Sequence, residues 1–373
     1  MLCLLFIAAA FVPGSDSQVL EQVPRRDDPQ LREVRALSGA LQKDPQDATL
    51  AVKAARTFLE HGRDDGDPRW SGRAESALQP WWDAPQPPEE ILVLRAILRQ
   101  NVHDFPAALA DLDQAVQEAP KDAQAWLTRA SVQQVRGDYA GARVSCGPLV
   151  RLARPLVAAA CLAGVASLSG SLPAARAYLK HVLSQDNGDE PPVTRWALTL
   201  LAEMAHRAGQ DDEAAAEYAR ARVVGAPDAY LLASFSDFLL DTGKPAQVVA
   251  LLAERTRADA LLLRLALAEK ALGAPQLAGH VALLQDRFDG SRARGDVVHR
   301  REEAIFELRL EGNPQAALAL AAANWQVQHE PLDAQILLEA ARAAREPQAA
   351  RPAAQFLAEA HLESAQLRPL VQP

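Results

Sequence analysis

The chain has 373 residues, a formal net charge of −9 and a pI near 5.5. This acidic balance argues against binding to the phosphate backbone of nucleic acids, which requires clustered lysine and arginine. Aromatic residues make up only 5% of the chain, and the alternating pattern of a half-buried strand is nearly absent. A chain of this length would ordinarily form two or three domains, unless it is an array of repeats.

The N-terminal stretch from Leu2 to Val12 reads LCLLFIAAAFV. It has the length of a secretory apolar region and is too short to cross a bilayer as a helix. Small residues follow at Gly14 and Ser15, so we predict a cleaved signal peptide over residues 1–17. No lysine or arginine precedes the apolar run, which leaves a mis-assigned start as the alternative. We expect a periplasmic or secreted protein, and a cytoplasmic one if the leader is not a signal.

Three further regions follow from the composition. Residues 18–28 are polar and contain proline, which indicates a linker, and residues 29–366 show helical periodicity throughout. Residues 367–373 contain two prolines and are predicted to form a flexible tail. In the first helical part, a helix from Thr49 is expected to end at Gly62, because glycine commonly ends helices.

The clearest repeated unit runs from Trp126 to Pro155. Apolar and small residues recur at helical spacing until Gly137 and Asp138 break the pattern, and a second helical run begins near Tyr139. Isolated helices of this length are marginal in water. The resulting hairpin must therefore bury a face against neighbours.

This unit resembles a tetratricopeptide repeat, a helical hairpin of about 34 residues with tryptophan, glycine, tyrosine, alanine, phenylalanine and proline at set places. Trp126 holds the fourth place, Ala130 the eighth and Ala142 the twentieth, while Cys146 stands where phenylalanine is usual. The resemblance implies that the two alanines lie where the helices cross. A larger side chain there would push the backbones apart.

The turn and the small residue five places later recur along the chain. The pairs are His103 and Ala108, Gly137 and Ala142, Gly170 and Ala175, Gly209 and Ala214, Gly243 and Val248, Gly273 and Ala278, Gly312 and Ala317, and Arg345 and Ala350. Gly62 and Ala74 bracket another possible unit. The units over 89–225 are the best formed and those over 228–366 are degenerate, with an exposed loop expected from Asp286 to Asp296. The resemblance implies an all-α fold, a right-handed α-solenoid of about eight or nine stacked TPR-like helical hairpins.

Motifs for catalysis or metal binding are missing from the sequence. The histidines do not form a zinc-binding pair, and the chain has neither a glycine-rich phosphate loop nor a nucleophile elbow. We therefore expect no enzyme, no metal and no cofactor. Cys146 and Cys161 fall on helices that pack together in such arrays. An oxidising compartment would permit a disulfide between them, although small buried hydrophobic residues are the favoured interpretation.

In this family, the first helix of each hairpin lines a concave groove. Carrying the groove-facing places over to this chain predicts a set of partner-binding residues. They are Gln100, Asn101, Gln124, Ser131, Gln134, Trp196, Glu203, His206, Arg207, Tyr230, Asp237 and Asp241. Amide, charged and aromatic groups together can hold an extended peptide, and a merely solvated face is the alternative.

The resemblance implies a non-enzymatic scaffold for protein–protein interaction, with a protein or peptide partner of unknown identity. The predicted signal peptide favours a location in a bacterial cell envelope. The alternative is an accessory or regulatory subunit docked on a membrane transport or secretion complex, which would require a large apolar outer patch. We take Glu203, His206, Arg207 and Asp237 to be exposed, so replacing all four should barely change stability.

Overall fold

The computed structural model describes residues 31–371. The predicted signal peptide and linker lie outside these residues. The helices of the first half are α1 (Leu31–Lys43), α2 (Ala48–Asp65), α3 (Arg69–Leu78), α4 (Glu89–Asn101), α5 (Phe105–Glu118), α6 (Ala123–Val135), α7 (Tyr139–Cys146), α8 (Leu149–Leu152), α9 (Pro155–Ser167) and α10 (Leu172–Ser184). Those of the second half are α11 (Pro191–Arg207), α12 (Asp211–Ala221), α13 (Ala229–Asp241), α14 (Pro245–Leu252), α15 (Asp259–Leu272), α16 (Leu277–Arg294), α17 (Arg300–Phe306), α18 (Pro314–Trp325), α19 (Pro331–Ala343), α20 (Arg351–Glu359) and α21 (Arg368–Val371).

Most of these helices pair into hairpins that stack on one another. The pairs are α2–α3, α4–α5, α6–α7, α9–α10, α11–α12, α13–α14, α15–α16, α17–α18 and α19–α20. No strand forms within the described residues, and none of their helices is both long and apolar enough to cross a membrane. The predicted all-α solenoid of stacked helical hairpins is confirmed.

A residue in the left-handed backbone region lies in the turn within each of these hairpins. At Gly137 φ is 77°, and the same conformation is taken by His103 at 59° and by Arg345 at 61°, where the sequence has no glycine. The next residue often caps the second helix, as Asp138 does by accepting the N–H of Gly141 at 2.8 Å. The turns predicted from sequence therefore have one shared geometry.

Small residues occupy the helix crossings, as the resemblance implies. Ala108, Ala142, Ala214 and Ala317 all have 0% exposure. In the central hairpin, Trp126 is half-buried and packs against the cluster that contains Ala142. Close helix contact thus depends on the absence of side-chain bulk at these positions.

The predicted helix end at Gly62 is wrong. Helix α2 continues to Asp65, and Gly66 makes the left-handed turn with φ of 71°. Gly62 stays inside the helix and accepts the N–H of Gly66 through its carbonyl at 2.8 Å. Trp70 of α3 packs against Gly62, so the missing side chain serves a close helix contact rather than a helix end.

The loop predicted from Asp286 to Asp296 is also wrong, because α16 runs through most of it and ends at Arg294, with Gly295 as its left-handed cap. Leu284 and Phe288 are buried on the inner face of this helix. The predicted register placed Ala278 at the helix crossing, but Ala278 lies away from the buried face of α16 and is exposed. Leu284 and Phe288 are one helical turn apart, and burying both favours a helix over the turn that the local Asp-Gly-Ser sequence would otherwise form.

The C-terminal hairpins pack back against the turns of earlier hairpins. The N–H of His329 donates to the carbonyl of Val135 at 2.8 Å, and the N–H of Ala365 donates to the carbonyl of Arg207 at 2.7 Å. A Cβ at Gly137 would lie only 2.7 Å from the ring of Phe356. The solenoid therefore bends back on itself, and its concave side lines a space that is partly open to solvent.

Cys146 and Cys161 form a disulfide between α7 and α9, with their Cα atoms 5.8 Å apart. The favoured interpretation of two unlinked buried cysteines is therefore wrong, and the alternative holds. Helices α7 and α9 pack side by side, which brings both cysteines into one buried cluster. The bond fixes the central hairpin to the next one.

Replacing Ala142 with leucine should overpack the helix crossing and lower the free energy of unfolding by on the order of 1–3 kcal/mol. Ala140 lies on the same helix but is exposed, so Ala140→Leu is the matched control and should change stability by less than about 0.5 kcal/mol. Chemical denaturation measures both. Equal midpoints for the two variants would contradict the packing at this crossing.

Candidate functional site

The concave side of the solenoid contains a cavity of about 350 Å³. First helices from several hairpins supply its walls. The predicted groove residues that line it are Gln134, Glu203, His206, Arg207, Tyr230, Asp237 and Asp241. These side chains come from α6, α11 and α13, which the stacking of the hairpins brings together.

A second cavity of about 790 Å³ lies toward the N-terminal hairpins. Three further predicted residues line it, namely Gln100, Asn101 and Gln124, and Tyr230 lines both cavities. Tyr230 is 48% exposed although protein surrounds it, because its ring faces the space inside the solenoid. The two cavities therefore adjoin at this residue.

Two predicted groove residues line neither cavity. The Ser131 hydroxyl donates to the carbonyl of Leu127 at 3.1 Å within its own helix. Trp196 packs against a buried cluster that includes Leu201. Both side chains contribute to local structure in α6 and α11.

A chain of hydroxyl groups converges on Glu203. The hydroxyls of Tyr230 and Ser234 donate to Oε1 of Glu203 at 2.6 and 2.7 Å, and the Tyr218 hydroxyl lies 2.6 Å from Oγ of Ser234. Burial raises the pKa of Glu203, and the two hydroxyl donors oppose this change without cancelling it. Glu203 is therefore held in place by donors while its negative charge is disfavoured.

His206 lies between two carboxylates. Its Nδ1 is 2.8 Å from Asp211 and its Nε2 is 3.2 Å from Asp241. Burial alone would lower the pKa of His206, but the two carboxylates together raise it. The imidazole thus favours the protonated form more than an ordinary histidine does.

Arg264 and Arg301 also line the first cavity and were missed by the sequence analysis. Arg264 binds Asp237 at 2.6 Å, and Arg301 binds Glu330 at 2.6 Å. They lie on α15 and α17, first helices of the degenerate hairpins, for which the sequence analysis assigned no groove-facing residues. The aromatic residues that fix this register in the central unit have no counterpart there.

The C-terminal segment completes the cavity wall with Ser364, Gln366 and Leu367. The Gln366 amide donates to the carbonyl of His206 at 2.8 Å. Contrary to the flexible tail expected from residue 367, Leu367 is 4% exposed and α21 follows it. No local signal could have indicated this contact, because it joins segments far apart in the sequence.

Arg207 differs from the other charged residues of the cavity. Its guanidinium donates to Ser167 alone, to the carbonyl oxygen at 3.0 Å and to Oγ at 2.7 Å. Within residues 31–371, no carboxylate lies within ion-pair distance of it. Burial lowers the pKa of Arg207, and nearby Glu203 only partly offsets this effect.

The assumption that Glu203, His206, Arg207 and Asp237 are exposed is wrong. All four are half-buried, and each makes the hydrogen bonds or ion pairs described above. Replacing all four together would leave several buried groups without partners. Single substitutions are therefore the better test of this surface.

Among residues 31–371, no group of histidine, cysteine, aspartate and glutamate side chains is arranged to hold a metal ion.

No protein-family model matches the chain, and no curated protein sequence matches it. Similar solved structures include a tetratricopeptide repeat protein from Parabacteroides merdae, with 16% identity, a TM-score of 0.42, and coverage of 69% of this chain and 92% of that one. The APC/C hetero-tetramer Cut9–Hcn1 is 13% identical, with a TM-score of 0.44 and coverage of 88% and 77%. The TPR domain of P58(IPK) is 13% identical, with a TM-score of 0.23 and coverage of 91% and 96%.

These TM-scores are all below 0.5, so the fold is assigned from the hairpins of this chain. They combine a period of about 34 residues in the central units, a left-handed residue in each turn and a buried small residue at most crossings. The chain has a TPR-like fold.

The pKa of His206 should lie above its ordinary value of 6.5. The folded state then binds the proton more tightly, which contributes stability that is full below about pH 6.5 and is lost as pH rises through the folded-state pKa. Titration of the imidazole by NMR measures this pKa. Asp241→Asn should lower it, whereas Asp212→Asn, an exposed neighbour on α12, should not. A pKa below 6.5 in the wild-type protein would contradict the assigned contacts.

Proposed function

We propose that this TPR-like protein is a non-catalytic scaffold that binds an extended segment of a partner protein inside its solenoid. The observation that carries the proposal is the junction of two interior cavities at Tyr230. A ligand that follows this space would run along the first helices of consecutive hairpins. An extended peptide has the shape for such a path.

The lining has the chemistry to hold a peptide backbone. Gln100, Asn101, Gln124 and Gln134 supply amide groups, each of which can both donate and accept hydrogen bonds. Tyr230 adds an aromatic face with a polar end, a combination enriched at protein interfaces. Binding through such groups needs no catalytic residue.

We further propose that the protein works outside the cytoplasm, in an envelope compartment or as a secreted protein. Two independent features support export. One is the apolar run from Leu2 to Val12, and the other is the bond between Cys146 and Cys161. Disulfides form and persist in oxidising compartments and are rare in the cytosol.

Substituting Tyr230 with alanine should abolish retention of the partner in affinity capture, because this residue lines both cavities. Tyr178→Ala is the matched control, since Tyr178 is 45% exposed on α10 and lines neither cavity. Thermal unfolding verifies that both variants are folded. Loss of retention with Tyr178→Ala instead would contradict interior binding and favour the accessory subunit docked by its outer face.

Protein isolated from the native host should begin after Gly14 or a few residues later and should carry the disulfide. N-terminal sequencing checks the first point. Mass measurement after thiol alkylation, with and without reduction, checks the second, because Cys146 and Cys161 should react only after reduction. An intact Met1 together with free thiols at both positions would remove the case for export.

A further inference from the structure

Arg207 projects into the first cavity with much of its hydrogen-bonding capacity unused. A guanidinium carries five N–H donors, and those of Arg207 bond only to the carbonyl and hydroxyl oxygens of Ser167. Both acceptors are neutral. The positive charge of Arg207 therefore has no direct anionic partner among the described residues.

The other cations of the cavity are already matched. Arg264 is paired with Asp237, and Arg301 with Glu330. His206 lies between its own two carboxylates. Among the described cations that line this cavity, Arg207 is the one without a carboxylate at ion-pair distance.

A buried cation without a partner carries a desolvation cost that an incoming anion can offset. A carboxylate fits best, because its two oxygens match the planar guanidinium and it brings a single charge. A doubly charged phosphate would face the repulsion of Glu203 and Glu302, which also line this cavity. We propose that Arg207 binds one carboxylate group of the ligand, an inference that rests on the proposed interior binding.

Two sources can deliver this carboxylate. One is the side chain of an aspartate or glutamate in a bound peptide, and the other is a free small carboxylic acid. The cavity volume of about 350 Å³ is at the lower end of the range for small-molecule pockets. It accommodates either ligand.

Ser167 positions the guanidinium for this role. Its hydroxyl donates to the carbonyl of Gly164 at 2.8 Å, which leaves Oγ lone pairs to accept from Arg207. Ser167 is 1% exposed and lies at the end of α9. Ser167 therefore fixes the position of the Arg207 guanidinium but leaves its positive charge uncompensated.

The test uses the full chain and three probes: acetate, an acetylated and amidated Ala-Asp-Ala tripeptide, and the matched Ala-Asn-Ala tripeptide. Saturation-transfer NMR at matched ionic strength measures binding to the wild type and to three variants. Arg207→Gln removes the charge, and Arg207→Lys keeps the charge but loses the planar fork. Arg151→Gln is the control, because Arg151 is exposed on α8 and lines neither cavity.

We expect the aspartate peptide to bind the wild type and the asparagine peptide to bind about tenfold more weakly or worse. Arg207→Gln should weaken binding of the aspartate peptide to the same extent, and Arg207→Lys should give an intermediate affinity. Arg151→Gln should leave the affinity unchanged. Acetate binding as tightly as the aspartate peptide assigns the site to free acids, and weaker acetate binding assigns it to a peptide side chain. Thermal unfolding confirms that each variant is folded.

Equal binding of the aspartate and asparagine peptides, equal binding to wild type and Arg207→Gln, or no binding of either carboxylate probe would overturn the proposal. A failure of the proposed interior binding gives a different result from a failure of the carboxylate site. If Tyr230→Ala still abolishes partner capture while the probes ignore Arg207, only the carboxylate site is wrong. If Tyr230→Ala leaves capture intact, interior binding itself is wrong.

Discussion

The interior of this protein exists because its C-terminal hairpins dock on the turns of earlier hairpins. Helix ends leave backbone carbonyls without partners, and here residues from distant hairpins supply the donors. The N–H groups of His329 and Ala365 bond to carbonyls at the ends of α6 and α11. These contacts hold distant hairpins together around the concave face, which lines two cavities that remain partly open to solvent.

Partial burial also changes the electrostatics of the first-helix side chains. A charge surrounded by protein interacts more strongly with its neighbours than one in open water, so the pairing of each cavity residue matters. Asp237 and Arg264 pair across adjacent hairpins, which fixes both side chains before any ligand arrives. Among the described residues, Arg207 has no such carboxylate partner and bonds to Ser167 instead.

The central hairpin connects the disulfide to this closure. Cys146 and Cys161 belong to the same buried cluster as Ala142, and Phe356 of the C-terminal hairpin packs against that cluster. Gly137 admits the Phe356 ring because it has no side chain. The disulfide, the helix crossing and the docking of α20 therefore share one region of the core.

The sequence predicted the hairpins correctly where the turn residue, the small residue and the apolar spacing indicate the same register. At Gly137 and Ala142, the turn, the small residue and the apolar spacing all indicate one register, and the structure follows it. At Gly62 and in α16 they disagree, because a glycine can serve a close contact and an Asp-Gly-Ser sequence can lie within a helix whose inner face is apolar. In these places tertiary packing decided the outcome.

The amino-acid sequence by itself determined the helical hairpins, their repeat length and the inward-facing residues of α11 and α13 apart from Trp196, because these depend on local backbone preference and on the spacing of apolar side chains. It could not determine that the chain bends back on itself, which of the inner charges are paired, or that the tail contributes Leu367 to the cavity wall. Those features depend on the curvature accumulated over many hairpins, which brings together residues more than a hundred positions apart, such as His206 and Gln366. Only the tertiary structure decides such contacts, since no local pattern records the partner of a distant segment.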